Sequence, residues 1–195
     1  MRQQSAYKRT FTPGETYRIV TAMPAAVREL RLAKRQQLLS SSFIERIMLA
    51  VTEVNGCALC SYAHTKMALQ EGLTKEEIAG LLTGDAASIP SEEAPALLFA
   101  QHFAEMKGTY DPEMYALLAQ QYTPEIARGI LGSAQVILAG NAYGIPYSAL
   151  FSRMRGKPYR NSSVWYELGM IVFGILIMPV ALVHGLFRTT SAPRR

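Results

Sequence analysis

Cysteine is scarce in this chain, with two residues in 195. Two cysteines cannot build the multi-bridge framework of a small secreted scaffold. Charge is scarce as well: 18% of residues are charged and 49% are apolar, so some of the apolar surface need not face water. The net charge is only +5. The basic residues gather in short groups: Arg2, Lys8 and Arg9; Arg28, Arg31, Lys34 and Arg35; Arg153, Arg155, Lys157 and Arg160; Arg194 and Arg195. No basic stretch has the pattern of interleaved aromatics of a nucleic-acid reader, which argues against nucleic acid as a partner. The N-terminal stretch "MRQQSAYKRTFTPGETYRIV" has basic residues but no apolar run of a signal peptide, so a cytoplasmic location is expected. Period-two alternation is also missing, which leaves an all-α fold of one domain.

What is present is helical patterning punctuated by Gly and Pro. In "SFIERIMLAVTEV", Phe43, Ile44, Ile47, Met48, Val51 and Val54 recur at helical spacing, and Asn55-Gly56 breaks the run. A second helix is expected from near Cys57 to about Glu71, with Gly72 just past its end. Thr74 and Glu77 form a capping box for a third. Ser91, after Pro90, is expected to open another. Asp111-Pro112 and Thr123-Pro124 each place a capping side chain before a proline suited to the first turn. The count comes to about seven helices. "EGLTKEEIAGLLTG" and "QQYTPEIARGILGS" share a capping Thr and an Ile/Leu stripe, which either a duplication or two ordinary amphipathic helices would produce.

The C-terminal region differs in kind. "LGMIVFGILIMPVALVHGLF", from Leu168 to Phe187, holds no Asp, Glu, Lys or Arg. Its length suits the ~30 Å hydrocarbon core of a bilayer. Pro179 is tolerable in a membrane helix, and Trp165 and Tyr166 precede the run as interfacial aromatics do. Apolar on all sides, the segment reads either as a membrane anchor through 164–187 or as a buried helix in an oligomer interface. The chain thus divides into a helical domain, 1–160, and an apolar helix with a basic tail, 161–195.

The two cysteines and one histidine fall together in "GCALCSYAH" as Cys57, Cys60 and His64. Positions i, i+3 and i+7 share one helical face. At the N-terminal end, free N–H groups and the helix dipole favour a thiolate. A Cys-x-x-Cys pair can close and reopen as a disulfide, and a histidine one turn on can move a proton. Two other readings stay open: inert buried cysteines beside a hydrogen-bonded histidine, and a zinc site, which would need a fourth ligand. His102 and His184 lie far away in sequence and show no ligand spacing.

The stretch "ERIMLAVTEVNGCALCSYAHTKMALQEGLTKEEI" resembles the core of the alkylhydroperoxidase D-like, or carboxymuconolactone decarboxylase, superfamily. Redox members of that family carry a glutamate, eleven residues, then Cys-x-x-Cys-x-x-x-His. Glu45 stands eleven residues before Cys57, and Cys60 and His64 complete the pattern. The likeness is specific over 43–82, looser over 94–150, and silent on 160–195. It implies an alkylhydroperoxidase D-like bundle of helices in a homo-oligomer, often a trimer. It also implies that Cys60 attacks a peroxide or a partner disulfide, that Cys57 closes the bond, and that His64 and Glu45 relay the proton through water. Periodicity alone does not single out Glu45. It lies off the main apolar stripe near Met48, Leu49 and Thr52, as a solvated carboxylate would, and Glu53 is nearer the cysteines in sequence and is the alternative relay group. Leu59 stands between the cysteines where a redox member of the family has a histidine, which removes one polar group. The decarboxylase branch lacks the paired cysteines, so its reaction is not favoured.

The reading that follows is an antioxidant thiol-disulfide oxidoreductase or peroxidase that needs no bound cofactor and no metal. Its oxidant would be a hydroperoxide or a protein disulfide, and its electron donor a small dithiol or a redox protein. The alternative is a membrane-associated binding or assembly protein that keeps the fold with an idle site.

Overall fold

A computed structural model describes residues 7–83 and 89–191; Arg2, Arg194 and Arg195 of the basic groups lie outside it. Among the described residues the chain forms nine α-helices and no strand. They are α1 (Pro13–Thr21), α2 (Met23–Arg35), α3 (Ser41–Asn55), α4 (Ala58–Gln70), α5 (Lys75–Thr83), α6 (Ala94–Glu105), α7 (Pro112–Gln121), α8 (Pro124–Met154) and α9 (Val164–Ser191). The all-α expectation holds, but the count of about seven was short. The shortfall lies at the N-terminus, where α1 is opened by a Thr12–Glu15 capping box and α2 follows after Ala22 with Pro24 in its first turn.

Local signals account for most boundaries. Ser40 caps α3, Asp111 caps α7 and Thr123 caps α8, each side chain accepting from a first-turn N–H. Thr74 and Glu77 bond reciprocally at the start of α5. Ser91 does not open a helix. A turn spans 91–93, and α6 begins at Ala94 without a side-chain cap, with Pro95 in its first turn.

The 31-residue α8 runs through the middle of the bundle and packs against α1, α2, α3, α4, α6, α7 and α9. Its buried Ile130, Leu138 and Ile145 meet a core that includes Ile44, Ile47 and Leu49 of α3 and Leu97 and Phe103 of α6. Burying each such side chain is worth about 1.5–3 kcal/mol. This packing holds α3 and α4 at the face of α8 where the cysteines lie.

Helix α9 docks along its length on α1, α2 and α8. Met170 and Ala181 are buried, and Tyr17 reaches His184 Nδ1 at 2.9 Å. Near its start Glu167, fully buried, takes a two-pronged hydrogen bond from Arg153 at 2.8 and 2.9 Å and a further one from Ser162. Burial pushes this carboxyl up, but the hydrogen bonds from Arg153 and Ser162 outweigh that and hold it below the ordinary carboxylate range. The opposite side of α9 is an exposed apolar strip that includes Val172, Ile175, Leu176 and Val183. The helix is long and apolar enough to cross a membrane by length and composition. Of the two expected interfacial aromatics, only Trp165 faces outward, 82% exposed. Tyr166 turns inward instead: its hydroxyl donates to the Phe11 carbonyl and accepts from the Phe11 N–H, both at 3.2 Å.

Candidate active site

The turn between α3 and α4 sets the site. Gly56 adopts a left-handed conformation, φ 70°, and its N–H closes α3 onto the Thr52 carbonyl at 2.8 Å. The next residue, Cys57, is the N-cap of α4, so it stands just before the helix rather than within it. Its sulfur accepts the Cys60 backbone N–H at 3.2 Å. Cys57 and Cys60 are joined as a disulfide, and both are buried.

Helix α8 covers the sulfurs. A Cβ placed on Gly144 would lie 2.6 Å from Cys57 Sγ and 2.7 Å from Cys60 Sγ, so only glycine admits the disulfide here. One turn on, the Ser148 hydroxyl donates to the Gly144 carbonyl at 2.7 Å and accepts the Leu59 N–H at 3.1 Å. One of the unsatisfied first-turn donors of α4 is thereby tied to α8. The Leu59 side chain is about half exposed and lines an open groove.

His64 and Glu45 meet. His64 Nδ1 lies 2.8 Å from Glu45 Oε2, and both side chains are largely buried. The solvated carboxylate expected from periodicity is therefore wrong for Glu45, which is 8% exposed in spite of its place off the main stripe. The reason is tertiary: α4 folds back on α3 and places His64 over it. Glu53 is occupied elsewhere. It pairs with Lys8 at 2.7 Å, and the Lys8 stem crosses the surface of Gly56. On the inner side of α3, Asn55 is completely buried with neither Oδ1 nor Nδ2 hydrogen-bonded, and Thr52 donates to Asn141 of α8 at 3.3 Å.

Among the described residues no group of three His, Cys, Asp or Glu is placed to hold a metal ion. His184 is at Tyr17 on α9, and His102 is on α6, apart from the cysteines in the fold as in the sequence. Chemically the site is a buried two-electron couple at a helix N-terminus, with a carboxylate–imidazole pair on the same two-helix unit. Sequence reasoning missed Gly144, Ser148 and Asn55. Gly144 carried a signal, a glycine inside the helical pattern of "AGNAYGIPYSAL", which marks a close approach.

Residues 20–101 match the family model of the carboxymuconolactone decarboxylase family. Alkyl hydroperoxide reductase AhpD of Corynebacterium kroppenstedtii is 33% identical over 89 residues, 40% of this chain and 51% of that protein. The chain therefore spans about half the length of the curated relative it matches. No solved structure matches it. The helical segment that carries Glu45, Cys57, Cys60 and His64 lies within the matched residues and is similar to the alkylhydroperoxidase D-like, carboxymuconolactone decarboxylase superfamily.

Proposed function

We propose that this protein is a thiol-dependent peroxidase whose working couple is Cys57 and Cys60. The observation that carries the reading is the disulfide at the N-terminus of α4 with the His64–Glu45 pair one turn further along. In the reduced state the Cys60 thiolate, favoured by the helix dipole, attacks the outer oxygen of a hydroperoxide. The O–O bond breaks, the alkoxide leaves as an alcohol after taking a proton, and Cys60 becomes a sulfenic acid. The Cys57 thiolate then attacks the Cys60 sulfur, releasing water and closing the disulfide. His64, held by Glu45, supplies and receives the protons. A small dithiol or a redox protein returns two electrons. The relative's name, alkyl hydroperoxide reductase, agrees with this oxidant class. The test is hydroperoxide turnover with reduced lipoamide or thioredoxin as donor. Wild type should turn over and Cys60→Ser should not; equal activity in the two would sink the reading.

We propose further that α9 is a face for self-association rather than a membrane span. A lone spanning helix would turn its whole circumference to lipid, whereas α9 is committed along one side to α1, α2 and α8, and the exposed strip around Ile175 can meet another apolar surface. Light scattering should show an oligomer for the full chain and a smaller species for Ile175→Arg. Sedimentation of the intact chain with phospholipid vesicles, in place of a soluble oligomer, would restore the anchor.

A further inference from the structure

The groove beside the disulfide has a polarity along its length. It is open, about 600 Å³, and is floored by Leu59, Tyr147, Phe151 and Tyr159. Arg155 and Lys157 border it, and among the described residues no carboxylate does. Neighbouring Arg153 is committed to Glu167, but among the described residues Arg155 and Lys157 are exposed and form no ion pair. The Arg155 guanidinium lies over the Phe151 ring, 4.7 Å from its centroid.

Three residues of α8 and its C-cap, Arg155, arrange these features in order. Gly144, Ser148, Phe151 and Arg155 follow at i, i+4, i+7 and i+11, so they form one stripe along the helix. Gly144 faces both sulfurs with no room for a Cβ, and Ser148 holds the backbone of Leu59, a residue between the cysteines. Arg155 ends the stripe, roughly 16 Å along the helix from Gly144 at 1.5 Å per residue. The buried sulfur pair at Gly144, the apolar floor of the groove and Arg155 thus follow one another along one side of α8, with Lys157 beside the last.

Resting on the peroxidase reading above, we infer that this groove selects long-chain carboxylate hydroperoxides, with the carboxylate at Arg155 and Lys157, the hydrocarbon along Phe151, Tyr147 and Leu59, and the peroxide group at the Cys60 end. The electron balance is that of the couple: the dithiol is oxidised to the disulfide, the hydroperoxide is reduced to the hydroxy acid, and one water is released. The cations discriminate by charge and the aromatic floor by chain length. A small neutral hydroperoxide uses neither.

Binding and turnover test this separately on the full chain. Fluorescence titration of the oxidised protein with cis-parinaric acid and with its methyl ester reads the groove without any chemistry. The acid should bind more tightly than the ester, and Arg155→Gln/Lys157→Gln should weaken the acid roughly tenfold, the order expected for two partly exposed ion pairs, while leaving the ester unchanged. Both side chains are exposed, so folding should survive. In turnover, kcat/KM for linoleic acid hydroperoxide should fall by a similar factor in the double variant, with tert-butyl hydroperoxide unaffected. Equal binding of acid and ester, or a preference for the acid that survives the double substitution, overturns the inference. So does turnover only of hydroperoxides esterified in phosphatidylglycerol vesicles, which would make a lipid surface the source. If no hydroperoxide is reduced at all, the peroxidase reading fails, and the parinaric acid titration still decides whether the groove is an anion site.

Discussion

Glu45→Gln and His64→Ala should each slow oxidation of the reduced Cys57/Cys60 pair by roughly 10²-fold or more, the range for lost acid–base assistance. The groups are 2.8 Å apart and largely shielded from water, so neither can be replaced in place by bulk solvent. Glu45→Gln keeps a hydrogen-bonding side chain against His64 and should leave stability nearly unchanged. His64→Ala strands a buried carboxylate, at a cost of about 1–3 kcal/mol, which a domain of ordinary stability survives. Stopped-flow mixing of pre-reduced protein with a hydroperoxide measures the step directly. A normal rate in Glu45→Gln together with a slow one in Glu53→Gln would move the role to Glu53, against the grain of its pairing with Lys8.

The second large effect is expected at Gly144. A single methyl group there meets two sulfurs inside 2.7 Å, in a helix that is buried on most sides and cannot simply step back. Overpacking of this kind costs about 1–3 kcal/mol. Gly144→Ala should therefore lower the denaturant midpoint of the oxidised protein and slow closure of the disulfide after oxidation. Gly140, whose added Cβ would make only an ordinary 3.7 Å contact with Ile137, is the control: Gly140→Ala should be close to neutral or mildly stabilising. If the two alanine variants unfold alike, α8 does not clamp the sulfurs.

The parts of the fold readable from sequence are those that act over four residues or fewer. Asp111, Thr123 and the Thr74–Glu77 box announce helix starts because a capping side chain bonds its own first turn. Cys57, Cys60 and His64 are readable for the same reason, since one helix and its cap place all three. Glu45 is not, because what buries it is α4 folding back, and only the family resemblance pointed to it. Ser91 failed as a helix start because a turn intervenes before Pro95, and a capping residue signals a helix only when the chain continues into one. The two sides of α9 are equally apolar, so no periodicity could separate the side that packs on α1, α2 and α8 from the side left exposed. Tyr166 looked like Trp165 in sequence; its inward turn depends on Phe11, 155 residues away.

That last contact belongs to a short N-terminal segment that ties three distant parts of the molecule together. Tyr7 takes a hydrogen bond from Asn161 and gives its own N–H to the Asn161 side chain at 2.9 Å, its hydroxyl meets Ser162 at 2.8 Å, and Phe11 holds Tyr166. Between them Lys8 reaches Glu53 and lies across Gly56, the turn that positions Cys57. The order of synthesis then matters. Residues 7–11 leave the ribosome about 150 residues before their partners at 161–166, and closing a loop of that length is entropically slow compared with forming the α3–α4 hairpin. The strap over the Gly56 turn is completed only when the start of α9 is available. A nascent chain therefore carries Cys57 and Cys60 on an unfastened α3–α4 hairpin until residues 161–166 are made, and the strap closes over the Gly56 turn only with the arrival of α9.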